Sequence, residues 1–118
     1  MTAVSTGPSL QTLTAGDFRP HLGTMFRMTG APYGGEPASI DAELAEVTEH
    51  PADPSGRYRS AFSVLFCGPL QPVLPQGIYR IEHEHLGELD LFIVPVGPGE
   101  LGAAGKPQTA MRYEAVFN

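Results

Sequence analysis

From Gly23 onward the chain is broken at short, regular intervals by turn-forming clusters: GAPYGGEP, HPADPSG, GPLQPVLPQG and GPGELGAAGKPQ. Glycine supplies positive φ, and proline fixes φ and lacks an N–H donor, so such clusters interrupt helices and end strands. Between them apolar residues recur with a period of two, the spacing of a strand with one buried face. Evenly spaced short strands predict a mainly β fold, a small antiparallel barrel or sandwich of about six strands with a short N-terminal helix. The strands are expected at roughly 23–29, 39–49, 58–67, 78–84, 88–96 and 109–117.

Within the second of these, SIDAELAEVTEH, Ile40, Leu44 and Val47 also have helical spacing. As a strand, Ile40, Ala42 and Leu44 share a face and the pattern then shifts to Ala45 and Val47, which is what a β-bulge does. The strand with a bulge is the expectation. In the third strand Phe62, Val64 and Phe66 point one way. In the last, Met111, Tyr113, Ala115 and Phe117 point inward, with Arg112, Glu114 and Val116 opposite. Before the strands, LTAGDFRPHLG offers Thr14 as a cap, Asp17 at the third helical position, and Leu13 and Phe18 as a staple. Pro20 limits it to a turn or two.

The chain has 118 residues, enough for one core without disulfides. Residues 1–10 are expected to form a flexible N-terminal tail and residues 11–118 a single β-domain. A net charge of -6 repels a phosphate backbone, which excludes nucleic acid as the expected partner. The one basic cluster, Arg57-Tyr58-Arg59, is expected on a solvated strand edge. No apolar run reaches the length of a membrane span, no signal peptide is evident, and Cys67 has no second cysteine to pair with. A cytoplasmic protein that does not engage a membrane is expected.

Glu82-His83-Glu84-His85 poses the sharpest chemical question. A three-residue loop, His85-Leu86-Gly87, would pair Glu84 with Glu88 and put φ > 0 on Gly87. Tyr79, Ile81 and His83 then share a face with Leu89, Leu91 and Ile93, so His83 lies at an apolar rim and His85 in the turn. On that register the two histidines diverge, with no third imidazole to complete a metal site. Gly77, five residues, then His83-x-His85 resembles the opening of the first cupin motif, with Glu88 close behind. Cupins set that glutamate one or two residues farther on and add a histidine from a later strand; here no histidine follows His85. Gly97-x-Gly99-x-x-Gly102 spells a dinucleotide fingerprint, but too little chain follows for its helix and second strand, so a flexible glycine loop is expected. Cys67 is expected as packing, and Glu43, Glu46 and Glu49 as a solvated face. No catalytic, cofactor-binding or metal residue is assigned.

The order of the blocks LTAGDFRPHLGTMFRM, AELAEVTEH, FSVLFCGP, LPQGIYRIEHEHLGELDLFIVPVGP and MRYEAVFN resembles an uncharacterised family of small bacterial proteins, a domain of unknown function. Its most specific parts are Leu74-Pro75-Gln76-Gly77-x-Tyr79 and Arg112-Tyr113-Glu114-Ala115-Val116-Phe117-Asn118. Members of that family are often encoded beside proteins similar to phage tail-collar fibres. The resemblance implies a component or accessory of a phage-tail-derived particle and supplies no catalytic residue. The expectation is a non-enzymatic structural or protein-binding domain without cofactor, pairing with a protein partner or with itself as a homo-oligomer. The last strand, with Val116 outward, would add to another chain by β-augmentation if the sheet is open. The alternative is a cupin-like barrel binding a small molecule or metal through His83 and His85, marked by a deep pocket lined by His83, Tyr79 and Glu114.

Overall fold

The computed structural model describes residues 13–31, 33–50, 61–101 and 108–117. The expectations for the 1–10 tail, Arg57-Tyr58-Arg59 and Gly102 lie outside the described residues. Six strands form a closed antiparallel barrel in the order β1-β2-β3-β6-β5-β4. They are β1 (Met25–Gly30), β2 (Ala38–Glu49), β3 (Phe62–Gly68), β4 (Gly77–His83), β5 (Gly87–Leu101) and β6 (Gln108–Phe117). The barrel, rather than the sandwich, is the outcome. Among the described residues no helix is long and apolar enough to cross a membrane.

Two long strands close the sheet by changing partners part-way. β2 pairs with β1 through Glu43 and with β3 from Glu43 to Glu49, with a register shift between Leu44 and Glu46. The bulge expected at Ala45 is therefore present, and Val47 packs against the core beyond it. β5 pairs with β4 up to Ile93 and with β6 from Val94, with a second shift between Pro95 and Gly97, where Gly97 has φ 96°. A bulge bends its strand and increases the local twist, which is what a barrel corner needs. This corrects the reading of a glycine loop: Gly97 and Gly99 are strand residues opposite Arg112 and Ala110. Arg112 lies across the ribbon, where its Nε donates to the Gly97 carbonyl at 3.3 Å. A Cβ on Gly99 would run into that guanidinium.

The inward residues follow the alternation in the sequence. Phe62, Val64 and Phe66 are buried, as are Met111, Tyr113, Ala115 and Phe117. Strand β6 is hydrogen-bonded on both flanks, to β3 over Met111–Phe117 and to β5 over Gln108–Glu114. Strand β6 is thus flanked on both sides over Met111–Glu114 and by β3 alone over Ala115–Phe117, where Val116 faces outward at 56% exposure.

One end of the barrel is stopped by the N-terminal segment, α1 (Ala15–Phe18) and a 3-10 turn, Arg19–His21. The Asp17 carboxylate accepts from the Thr14 backbone N–H at 2.8 Å, as the capping pattern predicts. Phe18 is fully buried, with its ring 5.9 Å from Phe62 and 5.4 Å from Phe117. The backbone that follows covers the flank of β2 left open beyond β1: Gly23 N–H donates to Leu44 O at 2.9 Å, and Leu44 N–H to Thr24 O at 3.0 Å. Arg19 pairs with Glu49 at 2.8 Å, so one member of the expected solvated glutamate face has a fixed partner.

The opposite end is stopped by the β3–β4 connection. Leu74 is buried and its N–H donates to the Tyr113 hydroxyl at 3.0 Å, while the Tyr79 hydroxyl donates to Pro75 O at 2.5 Å. The LPQGIY stretch is therefore a lid whose two backbone groups are held by phenols from β6 and β4. Burial pushes the Tyr79 phenol up, so it stays a donor at neutral pH.

Candidate functional site

The β4–β5 hairpin carries the histidines, and its register differs from the sequence expectation. His83 pairs with Gly87, Glu82 with Glu88 and Ile81 with Leu89, so the loop is Glu84-His85-Leu86. The shift is two residues, which keeps every side chain on the face assigned to it, because side chains alternate with period two. The cause is the His83 imidazole. Its Nδ1 accepts the backbone N–H of His85 at 3.1 Å and of Leu86 at 3.3 Å, closing the turn immediately after His83 and burying Leu86. Gly87 still takes the left-handed conformation, at φ 78°.

With two N–H donors aimed at Nδ1, that nitrogen carries the lone pair and Nε2 carries the hydrogen. Nε2 donates to Thr24 Oγ1 at 2.9 Å, and Thr24 Oγ1 donates to the His21 carbonyl at 2.6 Å. The ring face lies on Phe26, centroids 4.2 Å apart. His83 is 7% exposed, and its pKa is pushed below 6.5, first by burial and then by His21 and His85, with Glu84 opposing.

The sequence reading that His83 and His85 diverge without a third imidazole is corrected. The His83 and His85 rings are 5.7 Å apart, and His21 joins them from the 3-10 turn, 4.6 Å from His83 and stacked 5.7 Å from His85. No spacing rule could find this trio, since His21 is brought in by tertiary packing. It is nevertheless a poor ligand set. His83 has both nitrogens engaged within the protein, and His85 pairs with Glu84 at 3.2 Å. Among the described residues no group of three His, Cys, Asp or Glu is arranged to hold a metal ion.

Beside His83 a groove of about 560 Å³ runs over the outer wall of β2, β1, β4 and β5. Its floor is a row of directly opposed residues, Asp41, Arg27, Glu82 and Glu88. Arg27 bonds Asp41 at 3.1 Å, and that hydrogen bond and charge raise the guanidinium pKa further. Arg80 reaches Glu88 at 3.4 Å and Asp90 at 3.5 Å, relieving the like-charged Glu82–Glu88 pair. The groove is an acidic, open surface of exposed carboxylates rather than a desolvated acid–base pair. Of the three residues expected to mark a small-molecule pocket, His83 lines it and Tyr79 and Glu114 do not. Cys67 is buried on the outer side of β3, and burial raises its thiol pKa, with Glu43 adding to the rise, so it is held as a thiol rather than a nucleophile.

Residues 13–117 match the family described as Domain of unknown function (DUF6916). The chain belongs to that family. No curated protein and no solved structure matches it. The match takes in the N-terminal plug, all six strands and the lid, so the DUF6916 unit is this barrel with both ends stopped. In this DUF6916 domain the hairpin glycine matters more than the exposed histidine. Gly87→Val forces a β-branched side chain into φ > 0 at a cost of roughly 1–2 kcal/mol. His85→Ala keeps the backbone N–H that caps the turn and stays within about 0.5 kcal/mol of the parent. Urea melts of the two variants compare them, and equal losses would remove Gly87 as the conformational pivot of the turn.

Proposed function

We propose that this domain is a non-enzymatic structural or protein-binding unit that docks through the lid end of its barrel. The observation that carries the reading is the separation of charge along the barrel. No charged residue occurs from Val64 to Tyr79, from Met28 to Gly35, or from Leu91 to Gly99, in a chain of net charge -6. These three segments meet at the lid end, where Gly30 lies against Tyr79 and Gly77 pairs with Ile93. Tyr33, Leu70, Val73, Ile78 and Val96 are exposed there, and Phe92 stands opposite Ile78 in the β4–β5 register. Large apolar side chains that remain exposed beside one another mark an interaction surface, and an uncharged surface buries no unpaired charge on contact. The plug end also exposes Leu22, Met25 and Val116, but there Arg19, Glu49 and Glu84 stand among them.

The partner we propose is a component of a phage-tail-derived particle, following what the family resemblance implies. A photo-crosslinking residue at position 73, compared with one at position 46 on the charged wall, tests both parts in the native host. The expected result is one dominant adduct from position 73, lost on Ile78→Lys and identified as a particle component. Equal labelling from both positions would remove the lid end as the docking surface. A single adduct with a protein of another kind would keep the surface and remove the particle.

A further inference from the structure

The His21–His83–His85 junction is not used by that docking surface, and its hydrogen bonding leaves it one allowed protonation state. Every polar position on the His83 ring is committed: Nδ1 accepts from two backbone N–H groups, and Nε2 donates into the Thr24–His21 link. A proton added at Nδ1 would point at two donors. The groups around it give that proton little help. His21 approaches from the 3-10 turn, His85 and Glu84 belong to the hairpin turn, and Phe26 of β1 covers one ring face. Glu84 is the one carboxylate acting on His83 there, and it is exposed and paired with His85.

We propose that His83 is an acid-operated latch, whose protonation releases the Glu84–Leu86 turn from the barrel wall while β3 and β6 stay paired. The turn is held by the Nδ1 lone pair, which one proton removes, whereas Nε2 keeps its hydrogen and its bond to Thr24 in either state. The opening faces the acidic groove, whose floor is Asp41, Arg27, Glu82 and Glu88. The sign is fixed by linkage: the closed form holds His83 below its usual 6.5, so closure is complete above that value. It weakens as pH falls from 6.5 towards the lowered pKa, because the open form takes up the proton more readily.

Amide hydrogen exchange by NMR, corrected for the intrinsic pH dependence, reads the latch on the whole chain. Protection of the His85 and Leu86 amides is expected to fall about tenfold between pH 7.5 and pH 5.0, with the β3 and β6 amides unchanged. His83→Asn places a non-titrating amide oxygen near the Nδ1 position, where it accepts the same turn amides. This variant should hold the turn and lose the pH response. The double variant His21→Gln/His85→Gln keeps the burial of His83 and removes the two neighbours that add to its depression, so its response should persist with a higher midpoint and a smaller amplitude. The latch is overturned if turn protection is flat across this range, or if it falls only together with β3 and β6. A response that survives in His83→Asn, or vanishes in the double variant, would also overturn it by placing the trigger on His21 and His85.

Discussion

Phe18→Ala is expected to remove about 3–5 kcal/mol of stability, the largest single loss in this domain. The ring is fully buried against both Phe62 and Phe117, which themselves stack 4.4 Å apart, so truncation leaves a cavity at the barrel mouth. A domain of this size has about 5–15 kcal/mol in total, so the variant would melt more than 10 °C lower and lie close to unfolding at 37 °C, roughly speaking. The plug contributes more than volume. Its following backbone supplies the Gly23 and Thr24 hydrogen bonds that cover the flank of β2, so losing the anchor also exposes Leu44 backbone groups to water. Leu22→Ala, four residues away and half-exposed, is the comparison and should cost no more than about 0.5 kcal/mol. Urea denaturation of both variants decides the matter. If Phe18→Ala is as mild as Leu22→Ala, the N-terminal segment does not stopper the barrel.

Gly30→Ala is the second large effect, at about 1–3 kcal/mol for a single added methyl group. A Cβ there would stand 2.8 Å from Tyr79 Cδ2 and 3.2 Å from the Ile78 carbonyl oxygen. The Tyr79 ring has nowhere to retreat, being 1% exposed with its hydroxyl donating to Pro75 O. The β1–β4 closure of the barrel therefore depends on a bare backbone at Gly30. In a Tyr79→Ala background most of the clash is gone, and Gly30→Ala should become nearly neutral, a coupling of about 0.5–3 kcal/mol. Simple additivity of the two changes in thermal melts would show that the contact with Tyr79 is not what excludes a side chain.

The class of fold and the face of each strand were legible in local patterning. Period-two patterning in FSVLF and MRYEAVF needs no partner to be read, because a strand's side chains alternate whatever it pairs with. The same local logic placed the bulge in β2, the Thr14–Asp17 cap and the positive φ of Gly87, each set within a few residues by backbone sterics or a short hydrogen bond. Parity was determined in the β4–β5 hairpin, but register was not. Pairings that differ by two residues bury the same face, and the choice between them fell to the His83 Nδ1 acceptor in the turn.

The rest depended on contacts between distant segments. Closure arises because β2 and β5 each bend at a bulge and change neighbours, and a strand's second partner is written nowhere in its own residues. The glycines at 97 and 99 looked like a loop because glycine marks turns and strand bulges alike; only the crossing Arg112 side chain distinguishes them. His21 reached His83 through the docking of Phe18 some sixty residues away in sequence, so the histidine trio, its single protonation state and the latch built on it follow from packing. The uncharged end lay between these cases. Its three uncharged segments are plain in the sequence, and the barrel gathered them onto one surface.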